Sequence, residues 1–284
     1  MSKVAVITDS TAYIPDEMVK AHSITVAPQV LIWGDETFRD GVDIMPDEFY
    51  RRLKTAKVMP TTSQVAIIDM KAIFEKLLES GYDLLGIFIS AKLSGTIQSA
   101  TQAREMLPKA ADKISIVDSN STAMAMGFHV LAAAKAAQDG ANLVECQKIA
   151  EKARDHTGVY FVVDTLEFLR RGGRIGGAAA LMGSALNIKP ILELREGRIE
   201  PIEKVRTKRK ALDRMIDLVS QRIAGRTPVR LATLHANAEV EAHNMLDSAA
   251  LQMQPIEKVY ASVSPVIGTH AGPGTVGLAY MAGM

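Results

Sequence analysis

The sequence predicts an α/β fold of two domains, with a parallel sheet in the N-terminal domain and a mixed sheet in the C-terminal domain. In the first half, continuous Val/Ile/Leu segments alternate with amphipathic helical segments, a pattern typical of a parallel sheet covered on both faces. After about residue 157 the pattern changes, and Glu196-Gly197 flanked by alternating apolar residues predicts an antiparallel hairpin. We therefore place the domains at 1–157 and 158–284.

Three apolar segments of the first half are predicted strands that end in polar turns. KVAVIT precedes Asp9-Ser10, DLLGIFIS precedes Ser94-Gly95-Thr96, and ISIV precedes Asp118-Ser119. Helical patterns such as IDMKAIFEKLLES, TIQSATQAREML and MGFHVLAAAKAAQDG follow or separate them. The segments ITVAPQVLI and GDETFRDGVD predict a hairpin at one edge of the sheet.

The three polar turns together are a candidate binding site. In open parallel sheets ligands bind beyond the carboxyl ends of the strands, so the turns would line one crevice. The turn at 94–96 also leads into a helix N-terminus, which favours an anion. Each turn alone is better explained as a helix cap, because Ser, Thr and Asp commonly begin helices. Only the expectation that all three turns lie at one edge of the sheet favours a binding site over three separate helix caps.

The second half contains further strands and helices and two loops with polar chemistry. GVYFVVD, VRLATLHA and EKVYASVS are predicted strands, ILELREGRIEPIEKV is the hairpin, and RKALDRMIDLVSQRIA and AEVEAHNMLDSAALQM are predicted helices. The glycine-rich loop 268–274 contains His270, and 170–174 contains three arginines. Arginines can bind carboxylate or phosphate, but they also commonly end helices. A lone histidine is more often a structural hydrogen-bonding group.

Composition argues against several classes of function. Lys and Arg total 33 against 32 for Asp and Glu, so no overall charge attracts nucleic acid or an anionic membrane. The single cysteine, Cys146, excludes an internal disulfide and suits a reducing cytosol. No secretory signal or apolar run of ~20 residues is present, so we expect a cytoplasmic protein without stable membrane insertion. Nucleotide-binding glycine motifs and clustered metal ligands are missing from the sequence, so no cofactor is expected.

Six short segments that span nearly the whole chain form a recognisable set. They are ThrAspSer at 8–10, ThrThrSerGln at 61–64, LeuSerGlyThr at 93–96 with Gln98 and Ser99, AspSer at 118–119, ArgGlyGlyArgIle at 171–175, and HisAlaGlyProGly at 270–274. As a set, these segments resemble the motifs of the DegV family. The first departure from the family pattern is Val65, which replaces the usual proline and predicts a looser loop around Thr62. The second is Ala91-Lys92, which replaces a small or polar pair.

The resemblance implies a protein that binds a long-chain fatty acid and presents it to a separate fatty acid kinase subunit. That kinase makes an acyl phosphate for phospholipid synthesis, and ATP and Mg²⁺ belong to it. The chain itself would be a carrier and not an enzyme. The residues implied in carboxylate binding are Thr62, Ser63, Ser94, Thr96 and His270, and those implied in kinase coupling are Arg171, Arg206 and His270.

The acyl chain of such a ligand needs an apolar tunnel. Small residues leave space and methionine adapts to irregular shapes, so the small-residue segment 178–186 is a candidate for the wall. Close helix packing explains that segment equally well. The expected wall residues are Met124, Met126, Phe168, Leu181 and Met182.

Two other functions are open at this point. Ser94, His270 and Asp9 or Asp118 are the residue types of a serine hydrolase triad acting on acyl esters, although Ser94 lacks the G-x-S-x-G elbow. The basic run KVRTKRK at 204–210 is a weaker candidate for DNA contact, because it is short and has no interleaved aromatic residues.

Overall fold

The structure is a computed structural model, and it describes residues 3–183 and 188–284. Within these ranges the chain forms three sheets with helices packed against them, as the α/β prediction requires. The strands are β1 (Lys3–Asp9), β2 (Thr25–Ala27), β3 (Val30–Trp33), β4 (Glu36–Arg39), β5 (Thr61–Ser63), β6 (Tyr82–Phe88), β7 (Ile114–Asp118), β8 (Thr157–Val162), β9 (Lys189–Arg195), β10 (Arg198–Val205), β11 (Val229–His235), β12 (Glu257–Val259) and β13 (Val276–Ala282). The helices are α1 (Asp16–Ala21), α2 (Pro46–Leu53), α3 (Ile67–Glu79), α4 (Thr96–Glu105), α5 (Ala123–Gln138), α6 (Leu143–Ala153), α7 (Glu167–Arg171), α8 (Lys208–Ile223), α9 (Glu239–Met253) and α10 (Pro265–Ala271).

The N-terminal sheet has the strand order β2-β1-β6-β7, and all its pairs are parallel. The central side chains of β1 and β6, including Val6, Ile7, Leu84 and Leu85, are apolar and buried, as expected for the centre of a parallel sheet. Phe88 at the end of β6 pairs with Asp118 at the end of β7. The Asp9 carboxylate at the end of β1 accepts a hydrogen bond from the Ile89 N–H just beyond β6. The three strands therefore end at one edge, as predicted.

A small antiparallel sheet, β4-β3-β5, lies beside the parallel one. β3 and β4 form the predicted edge hairpin. The segment ITVAPQVLI is not one strand but two, because Pro28 has no N–H to donate and separates β2 from β3. Thr62 of β5 pairs with Leu31 of β3, and Val65 is fully buried. Thr62 therefore lies in a paired strand rather than in the looser loop expected from Val65.

The C-terminal sheet has the strand order β10-β9-β8-β13-β11-β12. Its pairs are antiparallel except β11 with β12, so the prediction of a mixed sheet is confirmed. The predicted hairpin is β9–β10, and its turn residues Glu196 and Gly197 have φ angles of 50° and 77°. Two-residue hairpin turns need this left-handed conformation. Because the parallel sheet lies before residue 157 and the mixed sheet after it, we keep 157 as the proposed domain boundary.

The helix α5 lies between the parallel and the mixed sheet. It contacts β1 and β6 on one side and β8, β11 and β13 on the other. Most of its side chains are apolar, and Met124, Met126 and Phe128 are fully buried. One hydrophobic core therefore runs through both halves of the chain. Neither α5 nor any other helix of the described ranges is long and apolar enough to cross a membrane.

Candidate functional site

An internal cavity lies between the two halves of the chain. The centre of a water molecule can occupy about 80 Å³ of it, several times the space that one water needs. Six of its polar lining residues are partly or fully exposed and form a mouth, whereas its apolar lining residues are mostly buried. The mouth consists of Thr62, Ser63, Gln64, Ser94, Arg174 and His270. The apolar wall includes Phe161, Leu169, Leu194, Ile199, Leu234 and Val266.

Three elements from distant parts of the chain build the mouth. Thr62 and Ser63 are on β5, Ser94 follows β6, and His270 is on α10, which packs against β5. Thr62 Oγ1 lies 2.8 Å from His270 Nε2, so the two side chains are hydrogen-bonded. The structure thus brings together four of the five residues expected to bind a carboxylate.

The fifth expected residue, Thr96, does not line the cavity. It is the first residue of α4 and is fully buried. Its hydroxyl lies 3.0 Å from Ser94 Oγ. Thr96 therefore orients the Ser94 hydroxyl from behind, a distinction that the spacing of the two residues in the sequence does not reveal.

His270 is uncharged at neutral pH. Burial lowers its pKa to about 4, and the positive charge of Arg174 acts in the same direction. Its Nδ1 is buried and has no hydrogen-bond partner among the described residues. The Gly172 backbone packs against this nitrogen, and a Cβ at Gly172 would lie only 2.0 Å from it. Gly172, the first glycine of the ArgGlyGlyArg motif, is therefore needed to leave room for the imidazole ring.

We expect Gly172→Ala to expel the His270 ring from its buried position. The Gly172 carbonyl is held by Arg174 Nη1 at 2.7 Å, so the ring moves more readily than the backbone. An NMR titration of His270 should then show its pKa rising from about 4 toward the usual value for an exposed histidine. Gly173→Asn is the control, because no atom lies within 4 Å of a Cβ there and asparagine tolerates its φ of 71°. An unchanged His270 pKa in Gly172→Ala would contradict the expectation.

Arg174 is the cation of the mouth. It is one of the three arginines of 170–174 that the sequence offers as possible carboxylate ligands, but it was not in the set that the family resemblance implied. Its Nε donates to the Leu93 carbonyl at 2.9 Å, which ties the ArgGlyGlyArg turn to the loop that carries Ser94. Its side chain is partly buried and lines the cavity. Arginine binds carboxylates well, so the second arginine of the ArgGlyGlyArg motif is the feature of the sequence that points to Arg174 as a ligand.

The two arginines expected to act in kinase coupling lie outside the cavity. Arg171 is exposed on 57% of its side chain, and its Nε donates to Glu167 at 2.6 Å. Arg206 is also exposed, in the bend between β10 and α8. Their exposure places both side chains on the surface of the protein, away from the cavity lining.

None of the five residues expected in the acyl wall lines the cavity. Met124 and Met126 are packed within α5, and Leu181 belongs to the same hydrophobic core. Phe168 packs against Gly272, behind the loop that follows His270. Met182 is exposed on 44% of its surface. Of the segment 178–186, residues 184–186 lie outside the described residues.

The wall comes instead from strands of the mixed sheet and from two short helices. Phe161 of β8, Leu194 of β9 and Leu234 of β11 contribute side chains from one face of that sheet. Leu169 of α7 and Val266 of α10 complete the enclosure. All five are buried or nearly so, which produces a narrow apolar interior behind the polar mouth.

A buried carboxylate holds α10 in place. Asp40 Oδ2 accepts hydrogen bonds from Ser10 Oγ at 2.6 Å and Ser264 Oγ at 2.8 Å, and its Oδ1 accepts one from the Val266 N–H at 3.2 Å. Burial raises the pKa of Asp40 to about 6, although the hydrogen bonds oppose the shift. This network joins the turn after β1 to the start of α10 and so positions His270.

The hydrolase triad considered above is not assembled. The Asp9 carboxylate is engaged by its own turn and by the backbone beyond β6, and Asp118 accepts hydrogen bonds from backbone N–H groups. His270 Nε2 faces Thr62, and its Nδ1 lacks a partner among the described residues. Neither Ser94 nor an aspartate is therefore paired with the histidine.

The described residues, 3–183 and 188–284, contain no group of three or more His, Cys, Asp or Glu side chains placed to hold a metal ion. The basic run 204–210 spans the end of β10 and the start of α8. Lys208 within it forms an ion pair with Glu241 at 3.3 Å, so the run is partly neutralised by its own protein.

Known proteins are similar to this chain over nearly its whole length. The model of the DegV family, described as uncharacterised proteins, matches residues 3–283. A DegV domain-containing protein of Streptomyces coelicolor is 40% identical over 277 residues, which is 97% of each chain.

Two solved structures have the same fold along nearly their full length. One is DegV from Bacillus subtilis, described as a fatty acid binding protein, with 35% identity and a TM-score of 0.90 over 99% of this chain and 100% of that one. The other is a DegV family protein from Thermus thermophilus, described by its fatty acid binding, with 32% identity and a TM-score of 0.92 over 99% of both chains.

Proposed function

The chain belongs to the DegV family, and we propose that it binds a long-chain fatty acid, with the carboxylate at the mouth and the acyl chain in the cavity. The single observation that carries the proposal is the shape of the site. A partly exposed polar mouth of hydroxyls, one arginine and one neutral histidine opens into an enclosed apolar interior. Relatives of the same fold are described as fatty acid binding proteins, which supports the proposal.

The mouth suits a carboxylate. Thr62, Ser63 and Ser94 supply hydroxyl donors, and Arg174 supplies the positive charge that a carboxylate needs when it leaves water. His270 is neutral, so its ring can donate one hydrogen bond without adding a second buried charge.

The tail and the head group contribute differently to affinity. Burial of each methylene is worth ~0.8 kcal/mol, so a tail of about 16 carbons offers roughly 10 kcal/mol before entropic costs. One head-group hydrogen bond contributes about 0.5–1.5 kcal/mol net. We therefore propose that the apolar wall sets the affinity and that the mouth sets the orientation of the ligand.

The direct test is to identify the lipid that accompanies the protein. Denaturation and extraction with organic solvent should release roughly one fatty acid per chain, which mass spectrometry identifies. Delipidated protein should also take up added palmitate or oleate. Repeated preparations without lipid, together with no uptake of either acid, would refute the proposal.

Ser94→Ala should weaken fatty acid binding by roughly 2- to 10-fold, because it removes one head-group donor and little packing. The thermal melt should stay close to that of the wild type. Ser248→Ala is the control, since Ser248 is exposed and its Oγ donates to the Asn244 carbonyl of its own helix. Gross unfolding of Ser94→Ala would mean that this serine is structural.

We also propose that the protein acts in the cytoplasm as a carrier that presents the acid to a fatty acid kinase for phospholipid synthesis. The carboxylate at a mouth open to solvent could be reached by such a partner, and the exposed Arg171 and Arg206 are candidates for the contact. His270 would serve both binding and coupling, because it lies in the mouth itself.

Arg171→Ala should leave fatty acid binding unchanged and slow acyl phosphate formation by the kinase by about 10-fold or more, the cost of losing one charged contact. Arg170→Ala is a matched control, because Arg170 is the neighbouring residue and pairs with the same Glu167. Loss of fatty acid binding in Arg171→Ala would contradict this division of roles.

A further inference from the structure

The cavity has a second polar patch, formed by Tyr13, Gln29 and Thr122. Two of the three side chains have partners within the protein. Gln29 Nε2 donates to Asp9 at 3.2 Å, and Thr122 Oγ1 donates to the Thr11 carbonyl at 3.4 Å. The Tyr13 hydroxyl is buried, and no described residue forms a hydrogen bond of good geometry with it, although Ser264 lies close enough to interact with it. Such an unpaired buried hydroxyl is uncommon and calls for a partner.

This patch is separated from the mouth by the length of α10. Tyr13 lies next to Ser264, just before the helix, whereas His270 is near its other end, about 9 Å farther along the axis. The Ser264 hydroxyl donates to Asp40 at 2.8 Å, so toward Tyr13 this hydroxyl can act only as an acceptor. A ligand held by its carboxylate at His270 would pass Tyr13 partway along its tail.

The backbone at Tyr13 is also unusual. Its φ of 58° is in the left-handed region, which an aromatic residue seldom adopts, at the end of the short 3₁₀ turn of residues 10–12. A strained backbone and an unpaired hydroxyl both oppose folding, and both occur at one residue that lines the cavity. A hydrogen bond from Tyr13 to a bound ligand would offset part of this cost.

We infer that Tyr13 binds an oxygen atom within the acyl chain, so that the ligands include long-chain fatty acids carrying a hydroxyl group partway along the tail. The inference rests on the proposed function and narrows its ligand class. In an apolar tunnel a chain hydroxyl would lose its hydrogen bonds to water without replacement. Beside Tyr13 it can both donate and accept, with Gln29 and Thr122 in the same patch.

The test compares stearic acid with a series of monohydroxystearic acids in which the hydroxyl group moves along the chain. Affinities are measured for the wild type and for Tyr13→Phe, which removes the hydroxyl and keeps the ring. We expect one position of the ligand hydroxyl to be bound best by the wild type. Tyr13→Phe should lower the affinity for that acid by roughly 5- to 10-fold and leave the affinity for stearic acid unchanged or slightly higher.

Tyr50→Phe is the matched control. Tyr50 has a buried hydroxyl that donates to the Val263 carbonyl at 3.3 Å and does not line the cavity, so its loss should not discriminate between the acids. Equal effects of Tyr13→Phe on all acids, or no effect, would overturn the inference. So would uptake of stearic acid but no hydroxystearic acid by the wild type, which leaves the proposed function intact. Failure to bind any of the acids would instead refute the proposed function itself.

Discussion

Ala271→Phe should weaken fatty acid binding by about 100-fold or more while the protein stays folded. Ala271 is a small residue on α10 that lines the cavity next to His270, so a phenylalanine ring there occupies the space of the acyl chain. Excluding only about four methylenes costs ~3 kcal/mol, which corresponds to a loss of affinity of about 100-fold. Titration of delipidated protein with palmitate measures the loss, and a thermal melt verifies folding.

Two further variants sharpen this experiment. Ile267→Trp fills the same cavity from a partly exposed position, so it provides the test if Ala271→Phe does not fold. Met182→Phe introduces the same ring at an exposed residue outside the cavity and should leave binding unchanged. Full affinity in both cavity variants would show that the acyl chain lies elsewhere. A loss in Met182→Phe alone would favour the wall first expected from the sequence.

The stability contributed by Asp40 should fall as the pH rises from 4 to 7. Its pKa is about 6 in the folded protein and 3.8 in the unfolded chain, so between these two pH values the folded state holds the proton and the unfolded state does not. Each pKa unit of difference between the folded and unfolded states corresponds to 1.36 kcal/mol of unfolding free energy. The unfolding free energy of the wild type minus that of Asp40→Asn should therefore decrease by roughly 2 kcal/mol between pH 4 and pH 7.

Chemical denaturation at several pH values measures this difference, and a second aspartate supplies the control. The Arg39 hydrogen bonds lower the pKa of exposed Asp43 to about 2, so Asp43 is charged in both states at pH 5 and above. Asp43→Asn should thus differ from the wild type by a nearly constant amount from pH 5 to pH 7. A constant difference for Asp40→Asn as well would mean that Asp40 stays ionised when buried.

The mouth of the cavity could be predicted in part because local patterns define its elements. Apolar strands followed by polar turns are visible in the sequence, and parallel pairing brings the ends of β1, β6 and β7 to one edge. The contact between Thr62 and His270 joins residues 208 positions apart, and no local pattern relates them. Only the resemblance to a family placed these two residues in one site.

The residues of the wall could not be predicted, because a residue lines the cavity according to the direction of its side chain, and residue type does not reveal that direction. β8 is apolar on both faces, so its alternation does not show that Phe161 faces the cavity side while Val162 faces the other core. On α7 the expected Phe168 and the observed Leu169 are neighbours, and one residue rotates a helical side chain by about 100°. The flexibility of Met124 predicts adaptable packing, but adaptable packing also fills a core without leaving space.

The position of α5 between the two sheets has a consequence for how the chain unfolds. Separating the N-terminal and C-terminal halves would expose to water the first half of α5, whose residues 123–130 are all buried. Cleavage near residue 157 should accordingly leave fragments that stay associated or aggregate instead of two stable domains. Calorimetry of the intact chain should show a single endotherm, because the largest hydrophobic cluster contains residues of both halves, in addition to a smaller cluster within each half.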